Sequence, residues 1–183
     1  MPRRPWILAP LAVTALALAG CSKSGVDVKN ESGDKVAEKV ASAGGIALNP
    51  GQWQSSLKME SLDMGRELPP QVKQAMEKSM GMEKSFATCL TPEQAKAPKG
   101  DFFNQQAGCT YDHFTMSGGT IDSAATCTRD GMTQTIKMQG QYSPDSYQMR
   151  MQSSSQIPGG MAMSMAMTIT AKRTGPCTGK EQG

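Results

Sequence analysis

The chain reads as mainly β (α+β): a curved antiparallel meander of about five to seven strands, covered by one or two short helices and stapled by disulfides. Three observations predict this. Tight-turn signals recur at Gly118-Gly119, Asp130-Gly131, Ser143-Pro144-Asp145-Ser146 and Pro158-Gly159-Gly160. Between them run alternating stretches, Met132 to Tyr142, Ser146 to Ser155 and Met161 to Arg173. Four cysteines, Cys89, Cys109, Cys127 and Cys177, bracket this region as an even set.

The first residues set the compartment. Arg3 and Arg4 precede an apolar run, Trp6 to Leu18, with small residues after it, the pattern of a secretory signal. Trp6 to Gly20 is 15 residues, short of the roughly 20 that cross a bilayer as a helix. Leu18-Ala19-Gly20-Cys21 resembles the lipobox of bacterial lipoproteins. That resemblance implies removal of residues 1–20 and a lipid on the sulfur of Cys21. Ser22, where an Asp would retain the protein at the inner membrane, implies sorting to the outer membrane, facing the periplasm. Residues 21–48 are then a lipidated N-terminus and a flexible tether. Ser22 to Gly45 is polar, with at most a short, weakly anchored helix over Asp34 to Ala43. Residues 49–183 form a single antiparallel sheet domain.

Within that domain, Trp53, Leu57 and Met59 share one parity and Gln52, Gln54 and Lys58 the other, which predicts a strand with one buried face. Pro69-Pro70 opens a helix to about Met80, with Val72, Ala75, Met76 and Met80 on one side and Gly81 as its stop. Phe86 to Leu90 is a short strand carrying Cys89. Thr91-Pro92-Glu93-Gln94 is a helix start with a capping box, and Lys96 to Gln106 is a loop.

The turns set the pairing of the meander. Arg129 opposite Met132 puts Ala125 opposite Ile136, and Tyr142 opposite Tyr147 puts Met138 opposite Met151. A turn centred on Pro158 puts Met151 opposite Met165 and Met149 opposite Met167. One face then carries Ala125, Cys127, Ile136, Met138, Met149, Met151, Met165, Met167 and Ile169. The other is Thr, Gln, Lys and Arg: one dry face and one wet face. The helices at 70–80 and 91–95 are the expected cover for the dry face. Gly118-Gly119 lies midway between Cys109 and Cys127, so a hairpin there brings the two opposite each other or within one position. That predicts Cys109–Cys127 and leaves Cys89 with Cys177. Assigning Cys21 to lipid removes the odd fifth cysteine.

Gly51-Gln52-Trp53, Cys89-Leu90-Thr91-Pro92-Glu93, Cys109, Cys127 and a late cysteine ending, in this order, resemble the bacterial family called domain of unknown function 3617. The resemblance covers about residues 49 to 177. It implies an exported, often lipid-anchored domain and supplies no catalytic residue.

Chemistry is sparse. The formal net charge of +3 falls to +1 once Arg3 and Arg4 are removed, so the basic footprint of a nucleic-acid binder is missing. No Cys-x-x-Cys pair occurs and there is a single histidine, His113, which argues against zinc. Phosphate-loop, Gly-x-Ser-x-Gly and His-Glu-x-x-His patterns are missing too, so no enzyme and no cofactor are expected. Met161-Ala-Met163-Ser-Met165-Ala-Met167 is the most unusual pattern. With Met149 and Met151 it offers soft thioether ligands for copper(I). The alternative is that methionine fills an adaptable core, since the same stripe continues as Ile169 and Ile136. The expected function is therefore a lipid-anchored envelope protein, non-enzymatic, acting as a binding or structural module. Its partners are the membrane through Cys21 and an apolar ligand or another envelope protein. Methionine-based copper(I) or redox handling is the alternative.

Overall fold

A computed structural model describes residues 25–80, 82–96, 108–129, 131–157 and 161–181. Residues 1–20, Cys21 and Ser22 lie outside these, as do the Gly81 stop, nearly all of the 96–106 loop, Asp130 and the Pro158-Gly160 turn.

Eight antiparallel strands make one open sheet. They are β1 (Val26–Ser32), β2 (Gly51–Asp63), β3 (Glu83–Leu90), β4 (Cys109–Ser117), β5 (Thr120–Arg129), β6 (Met132–Ser143), β7 (Ser146–Ile157) and β8 (Met161–Gly175). Three short helices accompany them: α1 (Gly33–Ser42), α2 (Pro70–Met80) and α3 (Pro92–Lys96). The strand order is β1-β4-β5-β6-β7-β8-β2-β3. The meander β4 to β8 thus forms the middle, and the chain's first three strands close the two sides.

Registers in the middle follow from turn chemistry. Ala125 faces Ile136, Arg129 faces Met132, Met138 faces Met151 and Tyr142 faces Tyr147, as the tight turns require. The β7–β8 pairing differs from expectation by two residues. Ile157 faces Met161, so Met151 sits opposite Met167, Met149 opposite Ile169, and Met165 opposite Ser153. Because the shift is an even number, every side chain keeps its face.

The expected tether is the largest correction. Residues 26–32 form β1, which pairs with β4 from Val26 opposite Met116 to Ser32 opposite Thr110. Residues 33–42 form α1. Four valines carry most of this unit: Val26 and Val28 two apart on the strand, Val36 and Val40 four apart on the helix, all 7% exposed or less, with Ala37 packed beside them. Each buried valine contributes about 1.5–3 kcal/mol of burial. Glu31 at the end of β1 takes ion pairs from Lys35 (3.5 Å) and Lys39 (3.2 Å), fastening helix to strand. The folded unit therefore includes residues 26–42 and does not start near Asn49.

With it, the cover of the dry face is reassigned. The main cluster joins Val26, Val28, Val36 and Val40 to Tyr111, Phe114, Met116, Ile121, Ala125, Met138 and Met149. The helix over this end is α1, and α2 touches β2 instead, with Val72 45% exposed. α3 is the expected capping box: Thr91 N donates to Gln94 Oε1 (2.9 Å) and Gln94 N to Thr91 Oγ1 (3.2 Å).

One irregularity shapes β4. Tyr111 faces Ala125 but His113 faces Ala124, so Asp112 is an extra residue, a β-bulge. Opposite it in β1 stands Asn30 at φ +54°, a left-handed conformation that Asn tolerates. The bulge turns Tyr111 onto the dry face beside Phe114, with ring centroids 5.7 Å apart and edge to face, while His113, on the turn side of it, lies on the wet face. Burial pushes the Tyr111 phenol up to about 12.

Val36→Ala should lower unfolding stability by about 2 kcal/mol through the void left over Phe114 and its neighbours. Val72→Ala on exposed α2 should cost under about 0.5 kcal/mol. Urea midpoints of the two variants check this ordering.

Candidate functional site

The five sequence-predicted methionines lie on β7 and β8 in a different grouping from the expected one. Met151 faces Met167, while Met163 faces Ser155 and Met165 faces Ser153. Met138 faces Met151 from one side and Met59 faces Met167 from the other, so the row that forms is Met138, Met151, Met167 and Met59 across β6, β7, β8 and β2. Sequence reasoning paired Met138 with Met151 but left out Met59, because the partner of β2 could not be read from a turn. The Met149 sulfur occupies the space over Gly140, where an added Cβ would lie 2.7 Å from it. Met138 and Met149 are buried, and Met151, Met163, Met165 and Met167 are half-buried, in line with Ile136 and Ile169. This is how a thioether fills an uneven interior.

Across the sheet, the wet face carries two hydrogen-bonded clusters. His113 Nε2 contacts Asp122 Oδ1, and Gln139 Nε2 donates to Asp122 Oδ2 at 2.6 Å, linking β4, β5 and β6. The Gln139 amide, and after it His113, hold the Asp122 carboxyl below the usual carboxylate range. On β7, β8 and β2, Glu60 accepts from Thr168 Oγ1 (2.6 Å) and Arg150 Nε (2.7 Å), and these bonds, in that order, hold its carboxyl low as well. A histidine with an acidic partner can serve as a general base; the hydroxyl bonded beside this pair, Thr115 Oγ1, donates to the Asp122 main-chain carbonyl (3.3 Å).

The motif residues cluster where β2 begins. Gly51 has φ +140°, and a Cβ there would lie 2.3 Å from the Gly175 carbonyl oxygen and 2.9 Å from Arg173 Nε. Only glycine lets β2 approach β8 this closely. Two residues on, Trp53 is buried, stacks on Tyr147 with centroids 5.9 Å apart, and donates its indole N–H to the Asn49 carbonyl (3.1 Å). Asn49 Nδ2 donates to Asp145 Oδ1 (3.0 Å), Asn49 N to the Pro144 carbonyl (2.8 Å), and Arg173 Nε to the Pro50 carbonyl (2.8 Å). Gly51-Gln52-Trp53 is thus a structural clasp between β2, β8 and the β6–β7 turn.

Both disulfides follow the predicted pairing. Cys109 bonds Cys127 across β4 and β5 with Cα atoms 3.9 Å apart, and Cys89 at the end of β3 bonds Cys177 beyond β8 with Cα atoms 5.5 Å apart. Their sequence separations of 18 and 88 residues correspond to about 3 and 4–5 kcal/mol of loop-closure entropy.

Two open depressions lie on the wet side. The larger, about 560 Å³, is lined by Thr120, Gln141, Gln148, Thr170 and the turn glycines Gly118 and Gly119. The smaller, about 240 Å³, lies beside Lys137 and Gln152. No carboxylate, amine or imidazole lines the larger one. Among the described residues no group of three or more His, Cys, Asp or Glu is placed to hold a metal ion, and no helix is long and apolar enough to cross a membrane.

Fold and surface together define a disulfide-braced, single-sheet domain with one dry and one wet face. Residues 48–177 match a family model described as Protein of unknown function (DUF3617), and the chain belongs to that family. No curated protein and no solved structure matches the chain. The match begins just before the Gly51 clasp and ends at Cys177, so β1 and α1 precede the matched region.

Two outcomes follow. Gly51→Ala should destabilise the domain by about 2–3 kcal/mol, since the side chain needs both a strained φ and retreat of the β8 backbone; the shift in denaturation midpoint measures it. Gln139→Ala should move the Asp122 titration up toward the ordinary aspartate range, read by carboxyl NMR. A depressed folded-state carboxyl stabilises above its unfolded value and loses that contribution as pH falls through the folded one. The stability gap between wild type and variant should therefore narrow below about pH 4.

Proposed function

We propose that this chain is a lipid-anchored cell-envelope protein, acylated on Cys21 and facing the periplasm from the outer membrane, whose sheet domain works as a non-enzymatic binding or structural module. The observation that carries the reading is the N-terminal order of Arg3-Arg4, an apolar run, and Leu18-Ala19-Gly20-Cys21. The use of the cysteines supports it. The other four pair within the domain, which suits an oxidising compartment and leaves Cys21 as the one outside both bridges. One acyl group binds a bilayer only reversibly, and stable anchoring takes more than one, as lipoprotein N-termini carry.

As a module, the domain offers a broad wet face of Gln, Ser, Thr and paired charges and a methionine-rich dry face partly covered by α1. An apolar ligand or an envelope protein partner is the class of occupant this fits. Intact mass spectrometry of the native product tests the reading. The expected mass lacks residues 1–20, carries lipid on Cys21 and shows no free thiol at Cys89, Cys109, Cys127 or Cys177. Cys21→Ala should move the protein from the membrane to the soluble fraction with an unchanged melting temperature. A product that retains residues 1–20, or stays on the membrane without Cys21, overturns it.

A further inference from the structure

Resting on the acylation of Cys21, we infer that the anchor pins one end of the sheet, the β4–β5 turn, to the lipid headgroup layer and directs the β5–β6 end away from it. The geometry starts at β1. Gly25 packs against that turn so closely that a Cβ on it would lie 2.9 Å from Ser117 Cβ, and Val26 is already paired with Met116. Four peptide steps separate Cys21 from Gly25, a span of at most about 14 Å even when fully extended. β1 is not loosely attached: Val26, Val28, Val36 and Val40 hold it and α1 in the core. Cys21 therefore stays within about 14 Å of Gly25, which itself packs on Ser117 at the β4–β5 turn.

At the other end the distance is larger. β5 has 10 residues, about 30 Å of strand, between Thr120 and Arg129, and Met132 faces Arg129. The partner on the near side is a headgroup surface, and the chemistry there suits contact without insertion. Ser117, Gly118, Gly119 and Thr120 are small and uncharged, with Thr120 Oγ1 already bonded to the Ser117 carbonyl (2.8 Å). Met132 (42% exposed) at the far end of β6, and Val72 and Met82 (59%) between β2 and β3, lie at the other end of the strands. The anchor directs them toward the aqueous space, where a protein could reach them.

Photo-crosslinking tests this on the full, acylated chain in vesicles of phosphatidylethanolamine and phosphatidylglycerol. A benzophenone amino acid replaces either Thr120 or Met132, both exposed positions. Lipid adducts should form at position 120 at least several-fold more than at 132. Twelve Gly/Ser residues inserted between Ser22 and Lys23, ahead of the described residues, should erase most of the difference. Equal yields at the two positions, excess yield at 132, or a difference that survives the insertion overturns the inference while leaving acylation intact. Protein that fails to float with the vesicles overturns the anchor itself, and this inference with it.

Discussion

An open sheet with one dry face stays in solution only if something covers that face, and here the cover comes from the chain's own start. Val36 and Val40 of α1 lie over Tyr111, Phe114 and Met116, and Val26 and Val28 extend the same apolar surface by one strand. Without this unit the edge of β4 would be an unpaired row of backbone donors and acceptors beside a bare aromatic pair. Every other feature of the dry face assumes that end is closed. The methionine row toward β8 and β2 can be half-buried because the aromatic end beside it is fully buried.

The single extra residue at Asp112 links several features that look unrelated. Counting straight back from the Ser117–Thr120 pair, Cys127 would fall opposite Thr110. The bulge shifts the count by one and places Cys109 there instead, where the disulfide forms. The same shift turns Tyr111 inward beside Phe114, so the aromatic pair depends on it, while His113 and Asp122 keep the register set by the turn. The left-handed Asn30 is how β1 accommodates the step.

The middle of the fold was legible because its signals are local. A glycine or proline turn sets a register, and alternation sets a face, so the pairing of Ala125 with Ile136 or Met138 with Met151 needs nothing distant. Both disulfides were legible for the same reason, one from the hairpin and the other by elimination. The β1–α1 unit was hidden because its four valines stand in a stretch of Lys, Asp, Ser and Gly whose average composition is that of a linker. Its stability comes from partners on β4 about eighty residues away. The place of β2 between β8 and β3, and so the membership of Met59 in the methionine row, is equally non-local. At the wet face His113 stood out as a lone histidine beside Asp112, yet its partner is Asp122 on the next strand, brought alongside by the Gly118-Gly119 hairpin.

Strand order also dictates when the parts can meet. β1 finds its partner only after β4 exists, and the β2–β3 pair joins the rest only when β8 is made. During synthesis the first ninety residues thus have only the β2–β3 pair to form, while β1 has no sheet to join. A chain built this way cannot settle strand by strand as it emerges. It must be kept from sticking to its neighbours until its final segment has arrived.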